Sequence, residues 1–118
     1  MSQESLPQAI SDYLAASVRR DVDAVVACFS KDASVFDEGK HRAGRAEIQR
    51  WREDVDTAFE YTSTVTAAKA LGGADGTQHY DVHLHLEGNF PGGEVDLINS
   101  FVVRDDHIVD LRIVPAGS

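Results

Sequence analysis

The sequence predicts an α+β fold, with three helices in the first half lying on one face of a strongly curved antiparallel sheet from the second half, and an apolar pocket between the layers. Three features lead there. Apolar residues recur at helical spacings of three and four as far as Phe59, then at a spacing of two from Tyr61 onward. Gly72-Gly73-Ala74-Asp75-Gly76, Pro91-Gly92-Gly93 and Asp105-Asp106 cut the second half into strand-length pieces joined by short turns. The third strand, residues 77 to 88, sets Tyr80, Val82, Leu84 and Leu86 against His79, Asp81, His83, His85 and Glu87, so only one face of the sheet needs cover. Helices segregated to that face give the α+β arrangement, and a sheet this curved leaves a cavity beneath them.

Taken in order, Ser5 and Gln8 have the spacing of a capping box, and Leu6, Ile10, Tyr13, Leu14 and Val18 form one stripe of a helix over roughly 5 to 19. Arg19 and Arg20 suit the negative end of its dipole. Asp21 can cap a short second helix carrying Val22, Val25, Val26 and Phe29. Ala33-Ser34-Val35-Phe36-Asp37 reads as a short strand that stops at the Glu38-Gly39 turn, which puts Asp37 at a strand end. After Gly44, Ile48, Trp51, Val55 and Phe59 recur opposite Glu47, Arg50 and Asp54, so a third helix presents Trp51 to the interior. Four strands in a meander follow from Tyr61.

Composition narrows the partners. A chain of 118 residues is the size of one domain and can bury a core without staples. A net charge of -9 with no basic stripe speaks against nucleic acid. Cys28 is the single cysteine, which leaves no intrachain disulfide and no cysteine zinc cage; among Val25, Val26 and Phe29 it reads as a buried, inert thiol. Residues 1 to 20 carry four charges and no long apolar run, and nowhere do 18 apolar residues follow one another. The expectation is a cytoplasmic protein with no membrane partner. Gly72-Gly73 and Gly76 lack the preceding buried parallel strand and following helix of a nucleotide loop, and make a turn.

The order of elements, together with Tyr13-Leu14-Ala15-Ala16, Asp21-Val22-Asp23-Ala24-Val25-Val26 and Phe29-Ser30-Lys31-Asp32-Ala33-Ser34-Val35, resembles the nuclear transport factor 2-like superfamily over nearly the whole chain. Within it the chain looks like the ketosteroid isomerase and SnoaL-like polyketide cyclase branch. That resemblance implies a cone-shaped α+β roll around a hydrophobic ligand pocket. It also implies a reaction, proton removal next to a carbonyl of a small hydrophobic substrate, without a cofactor. Ketosteroid isomerases use a helix 1 tyrosine and a late-strand aspartic acid as oxyanion donors, with an aspartate base at the end of the first strand. Position by position, these fall on Tyr13, Asn99 and Asp37.

Two positions depart from the family pattern. Asn99 stands where an acid is expected, and an amide is a weaker donor than a neutral carboxylic acid, at a cost of about 10- to 1000-fold in rate. Arg52 stands where the steroid enzymes carry an aromatic residue supporting the tyrosine; it is expected to face solvent, although an inward Arg52 could pair with Asp37.

Each site has a plainer reading beside the functional one. Tyr13 can be a core tyrosine and Asp37 a turn residue bonding its own backbone. Asn99, in phase with Leu97 and Phe101, must be satisfied inside. His83 and His85, with His79 and Asp81, have metal-like spacing, but their face is opposite the apolar one; a homodimer interface or a solvated face is the expectation, with no metal. Reversing the register would turn the histidines inward and favour a dehydratase, but would remove Leu84 and Leu86 from the core. The leading reading is an isomerase- or cyclase-type enzyme with Asp37 as base, Tyr13 and Asn99 on the oxyanion, and a pocket lined by Phe29, Trp51, Phe59, Tyr80, Val82, Leu84, Leu97, Phe101 and Leu111. The competing one, favoured by Asn99, is a non-catalytic ligand-binding or dimeric accessory domain.

Overall fold

The computed structural model describes residues 6–116. Two helices, α1 (Gln8–Arg19) and α2 (Val22–Ala27), lead into the hairpin of β1 (Phe29–Asp37) and β2 (Lys40–Ala43). Next come α3 (Arg45–Ala58) and the meander of β3 (Tyr61–Gly72), β4 (Thr77–Gly88), β5 (Glu94–Arg104) and β6 (His107–Pro115). All six strands join one sheet in the order β2-β1-β6-β5-β4-β3. The helices cover one face of this curved, unclosed sheet, which is the α+β arrangement that the sequence pattern predicts and the cone that the family resemblance implies.

The sheet is not wholly antiparallel: β1 runs parallel to β6, with Val35 opposite Leu111 and a register shift between Phe29 and Ser34. Further shifts fall between Val65 and Ala67, between Ala70 and Gly72, and between Val102 and Val103. Such bulges bend a strand and increase its twist, and they account for the curvature that opens the cone. β1 is longer than its sequence suggests because Phe29 pairs with Ile108 ahead of the shift. β2 escapes the alternation test because its four residues are Lys40, His41, Arg42 and Ala43. A charged, short edge strand of this kind resists pairing with a second sheet. Its turn has both central residues at positive φ, Glu38 at 55° and Gly39 at 76°, as a two-residue hairpin loop requires.

The buried core comprises Ile10, Tyr13 and Ala16 of α1, Val25 of α2, Ile48 and Trp51 of α3, and the inner sheet face including Phe29, Val35, Val82, Phe101, Ile108 and Leu111. Asp21 caps α2 by accepting the Ala24 N–H. The serine expected to cap α1, Ser5, lies outside the described residues, and the helix begins after Pro7.

Two arginines fix α3 at its ends. Arg45 donates from Nε and Nη2 to the Phe29 carbonyl at 3.0 and 2.7 Å. Arg20 donates from Nη2 to the carbonyls of Asp56 and Phe59, where the helix ends. Arg20 was expected to serve the dipole of its own helix; instead its backbone closes α1 in the left-handed region (φ 60°), and its side chain crosses to cap α3. Arg20→Ala should therefore lower stability by about 1 kcal/mol in urea denaturation. Arg20→Gly removes the same bonds but also the left-handed penalty, so it should be the less destabilising of the two.

Candidate active site

Between α1, α3 and the inner face of the sheet lies a cavity of about 170 Å³. An apolar cavity of roughly 150 Å³ holds a benzene ring, so this one fits a single ring with a small substituent. Leu14, Val55, Leu84, Leu86 and Ile113 supply apolar wall, and Phe59, Tyr61 and Phe90 form an aromatic cluster in it, with ring centroids 5.2 Å apart for Phe59 and Phe90 and 5.8 Å for Tyr61 and Phe90. Tyr13, Ser17, Asp37, Glu38, Arg52, Ser63 and Asn99 contribute the polar groups. The three residues singled out in the sequence as catalytic thus border one space.

Tyr13 has both a packing and a polar part. Its ring meets Phe29 and Phe101 edge-on, with centroids 5.8 and 5.5 Å away, and the residue is 2% exposed. Burial pushes its phenol up to about 12, against the opposing pull of the Arg52 guanidinium. The hydroxyl therefore stays protonated near neutral pH and can donate. Asp37 ends β1 and accepts the Trp51 indole N–H on Oδ2 at 3.0 Å, so its carboxylate is oriented by α3 and not by its own turn.

Asn99 is 3% exposed and sits on β5 opposite Val82 and Ile113, within the apolar face. Its Oδ1 is buried without a hydrogen-bond partner. Leaving such an atom unpaired costs about 1–3 kcal/mol, which a ligand group placed there recovers. A half-turn of the amide exchanges Oδ1 for Nδ2, so the site can meet either a donor or an acceptor.

Arg52 does not face solvent. It is 3% exposed and lines the cavity. Ile48, Trp51, Arg52 and Val55 stand at i, i+3, i+4 and i+7, so Arg52 belongs to the buried stripe of α3. It pairs with Asp56, not Asp37: Nε and Nη2 reach Asp56 Oδ1 at 3.2 and 2.9 Å, and Nη2 also donates to the Tyr61 hydroxyl oxygen. Burial works against its charge, but Tyr13, Tyr61 and Asp56 together hold its pKa above the ordinary value.

Of the expected lining, Trp51, Phe59 and Leu84 border the cavity. Phe29, Val82, Phe101 and Leu111 are fully buried core beneath Tyr13, and Tyr80 and Leu97 pack against that core as partly buried residues. The expectation treated every inward residue as lining; the helices press onto the Phe101 end of the sheet and leave space at the Leu84–Leu86 end. Leu14, Ser17, Glu38, Val55, Tyr61, Ser63, Leu86, Phe90 and Ile113 were not anticipated. Tyr61, Ser63 and Leu86 were recoverable from strand alternation, because Ser63 pairs with Leu86.

The histidine-bearing face of β4 does point away from the helices. His85 lies between Asp96 at 2.6 Å, Glu87 at 3.1 Å and Glu94 at 3.2 Å, and its hydrogen bonds to Asp96 and Glu87 raise its pKa. Among the described residues, His85, Glu87 and Glu94 are the group whose ligand atoms lie close enough, within 4.8 Å, to share an ion; Glu87 and Glu94 are exposed. Cys28 donates to the Ala24 carbonyl at 3.3 Å, and burial, with Asp12 adding to it, pushes its thiol up to about 11, so the thiolate is scarce. No helix among the described residues is long and apolar enough to cross a membrane.

The Tyr13 phenol carries a pH signature. Its proton is held more tightly in the folded chain than in the unfolded one, so its contribution to stability is complete below pH 10 and is lost as pH rises through about 12. Across that interval the protein should lose about 2–3 kcal/mol more than Tyr13→Phe, measured as denaturation midpoints against pH. Equal losses in the two proteins would show that the phenol is not buried.

A family model described as a SnoaL-like domain matches residues 10–111. No curated protein matches the sequence. Among solved structures, a candidate polyketide cyclase from Sinorhizobium meliloti is 30% identical, covers 92% of this chain and 95% of its own, and superposes with a TM-score of 0.81. A protein of ketosteroid isomerase-like fold from Catenulispora acidiphila, solved with trimethylamine, is 21% identical over 97% of this chain and 89% of its own, with a TM-score of 0.78. The orange carotenoid protein of Anabaena, which binds canthaxanthin, shares the fold at 14% identity and a TM-score of 0.84; this chain corresponds to 38% of it. With the family model spanning most of the sequence and the fold shared throughout, this chain belongs to the SnoaL-like domain family of the nuclear transport factor 2-like superfamily.

Proposed function

We propose that the protein is an isomerase- or cyclase-type enzyme that removes a proton next to the carbonyl of a small, neutral, hydrophobic substrate. The observation that carries this reading is Asn99, whose buried Oδ1 has no hydrogen-bond partner, in the same cavity as the protonated Tyr13 phenol and the indole-oriented Asp37 carboxylate; a half-turn of its amide puts the Nδ2 donor in that place. A largely apolar cavity that brings together an indole-oriented carboxylate, a phenol and a buried amide suits enolate chemistry, because an enolate needs a base at carbon and donors at oxygen.

In this mechanism an Asp37 oxygen takes the proton, the C–H electron pair becomes the C=C bond of the enolate, and the carbonyl π pair moves onto oxygen. Tyr13 and the Asn99 amide N–H donate to that oxygen. Asp37 then returns its proton to another carbon as the carbonyl re-forms, giving an isomer, or the enolate carbon attacks a second carbonyl within the substrate, whose π pair becomes an alkoxide that takes the proton back from Asp37, giving a hydroxylated ring. No cofactor enters either route. The 170 Å³ cavity favours a one-ring substrate over a fused-ring steroid.

Deuterium exchange at the α-carbon of 3-cyclohexenone, followed by NMR in heavy water, tests this directly. Asp37→Asn should reduce exchange by about 10²–10⁴-fold, and Tyr13→Phe by about 10–1000-fold, with circular dichroism unchanged. Exchange that survives Asp37→Asn would remove Asp37 as the base, and no exchange above background in the wild-type protein would leave a binding pocket without this chemistry, the accessory-domain alternative.

The partner of the outer sheet face is proposed to be a second copy of the chain. Ile98 and Val114 flank one another on that face beside His83, a half-buried apolar centre ringed by polar groups such as Ser100 and Asp81. Sedimentation should give a dimer that Ile98→Glu converts to monomer; a wild-type monomer removes the proposal.

A further inference from the structure

We propose that Tyr61 is a third donor to the developing oxyanion, and that Arg52 is the positioning residue that aims and strengthens it. This rests on the enolate reading above and adds to it a source of charge stabilisation. Tyr61 opens β3 and lines the cavity with Tyr13 and Asn99. It can sit there because its strand partner is Gly88: a Cβ at Gly88 would lie 2.2 Å from the Glu60 carbonyl oxygen and 2.6 Å from the Tyr61 Cβ.

The direction of the Arg52–Tyr61 hydrogen bond decides what the phenol can do. A guanidinium only donates, so the Tyr61 oxygen is the acceptor and its own proton must point to something else. Tyr61 lines the cavity, so a ligand oxygen bound there can take that proton. A hydroxyl whose oxygen accepts from a cation is polarised, and it donates more strongly than a free phenol. Asp56 holds the guanidinium through Nε and Nη2, so the cation is fixed in place before any substrate arrives.

Charge conservation gives the arrangement its selectivity. With a neutral substrate bound, the negative charge sits on Asp37. As the proton moves, that charge passes to the substrate oxygen, and the total within the cavity is unchanged. A fixed cation behind Tyr61 favours the second distribution over the first, which is the differential binding that lowers a barrier. It also offsets the weaker donor at Asn99. A substrate arriving as a carboxylate gains less, because Asp37 and Glu38 already line the cavity.

Binding of 4-nitrophenol, whose visible absorption reports its ionised form, tests the assignment in full-length protein carrying Asp37→Asn. Adding Tyr61→Phe should weaken binding of the ionised form by about tenfold or more while leaving 4-nitrotoluene, a neutral ligand of similar shape, unaffected. Adding Arg52→Lys should weaken the ionised form similarly, and should have no further effect once Tyr61 is Phe. Tyr61→Phe keeps the ring and the Arg52–Asp56 pair, so it keeps the test valid even if the Arg52 variant folds poorly. Unchanged phenolate binding in Tyr61→Phe, or equal losses for the phenolate and the nitrotoluene, overturns the role of Tyr61. A further loss from Arg52→Lys in the Tyr61→Phe background overturns its action through Tyr61. Loss of α-exchange in Asp37→Asn is read separately, so the enolate mechanism can stand when this inference falls.

Discussion

The structure depends on a charge buried in an apolar layer. Arg52 occupies a position on α3 that helix geometry turns toward the sheet, and an unpaired guanidinium there would cost several kcal/mol. Asp56, one turn later, and the Tyr61 hydroxyl make its burial tolerable. These partners restrict where α3 can lie: it must bring residue 52 to the start of β3 while Trp51, its neighbour, reaches the end of β1. Arg45 and Arg20 hold the helix ends in a placement that allows both.

From that placement the polarity of the cavity follows. Trp51 and Arg52 are adjacent in sequence and about 100° apart around the helix, so they address different walls. Trp51 turns its N–H to Asp37 on the β1 side, and Arg52 turns its guanidinium to Tyr61 on the β3 side. One helix therefore orients Asp37 through Trp51 and Tyr61 through Arg52, with the Arg52 guanidinium carbon itself 5.7 Å from the centroid of the Trp51 ring. In the proposed reaction this matters because the dipoles that a moving charge needs are aligned before it moves.

Much of the fold was legible in the sequence because it rests on periodicity. The change of period near Tyr61 and the Gly and Asp turns locate the meander, and the alternation of β4 identifies its inner face correctly. What escaped has specific causes. β2 is a polar edge strand and carries no alternation to detect. The parallel pairing of β1 with β6 joins residues some 75 positions apart and has no local signal. Arg52 is expected from the sequence to face solvent, or if turned inward to pair with Asp37, whereas its spacing from Ile48 and Val55 places it on the buried stripe, paired with Asp56. Spacing was the better guide, because geometry sets where a helix position points and chemistry sets only what that position needs once there. Tyr13, Asp37 and Asn99 were found through the family resemblance; from residues alone, Tyr13 and a core tyrosine look the same.

The displacement of the cavity from the expected lining has a mechanical consequence. Had Phe29, Phe101 and Leu111 bordered open space, Tyr13 would have lacked the two aromatic contacts that hold its ring. Filling that end of the cone reduces the volume available to a ligand and fixes the donor that the ligand meets. A small cavity with rigid polar groups spends little of its binding energy on reorganisation, whereas a large one must order both ligand and side chains. The same packing that keeps Tyr13 still therefore limits the cavity to compact ligands, and in the proposed reaction size selectivity and donor rigidity have a single origin in the aromatic floor beneath α1.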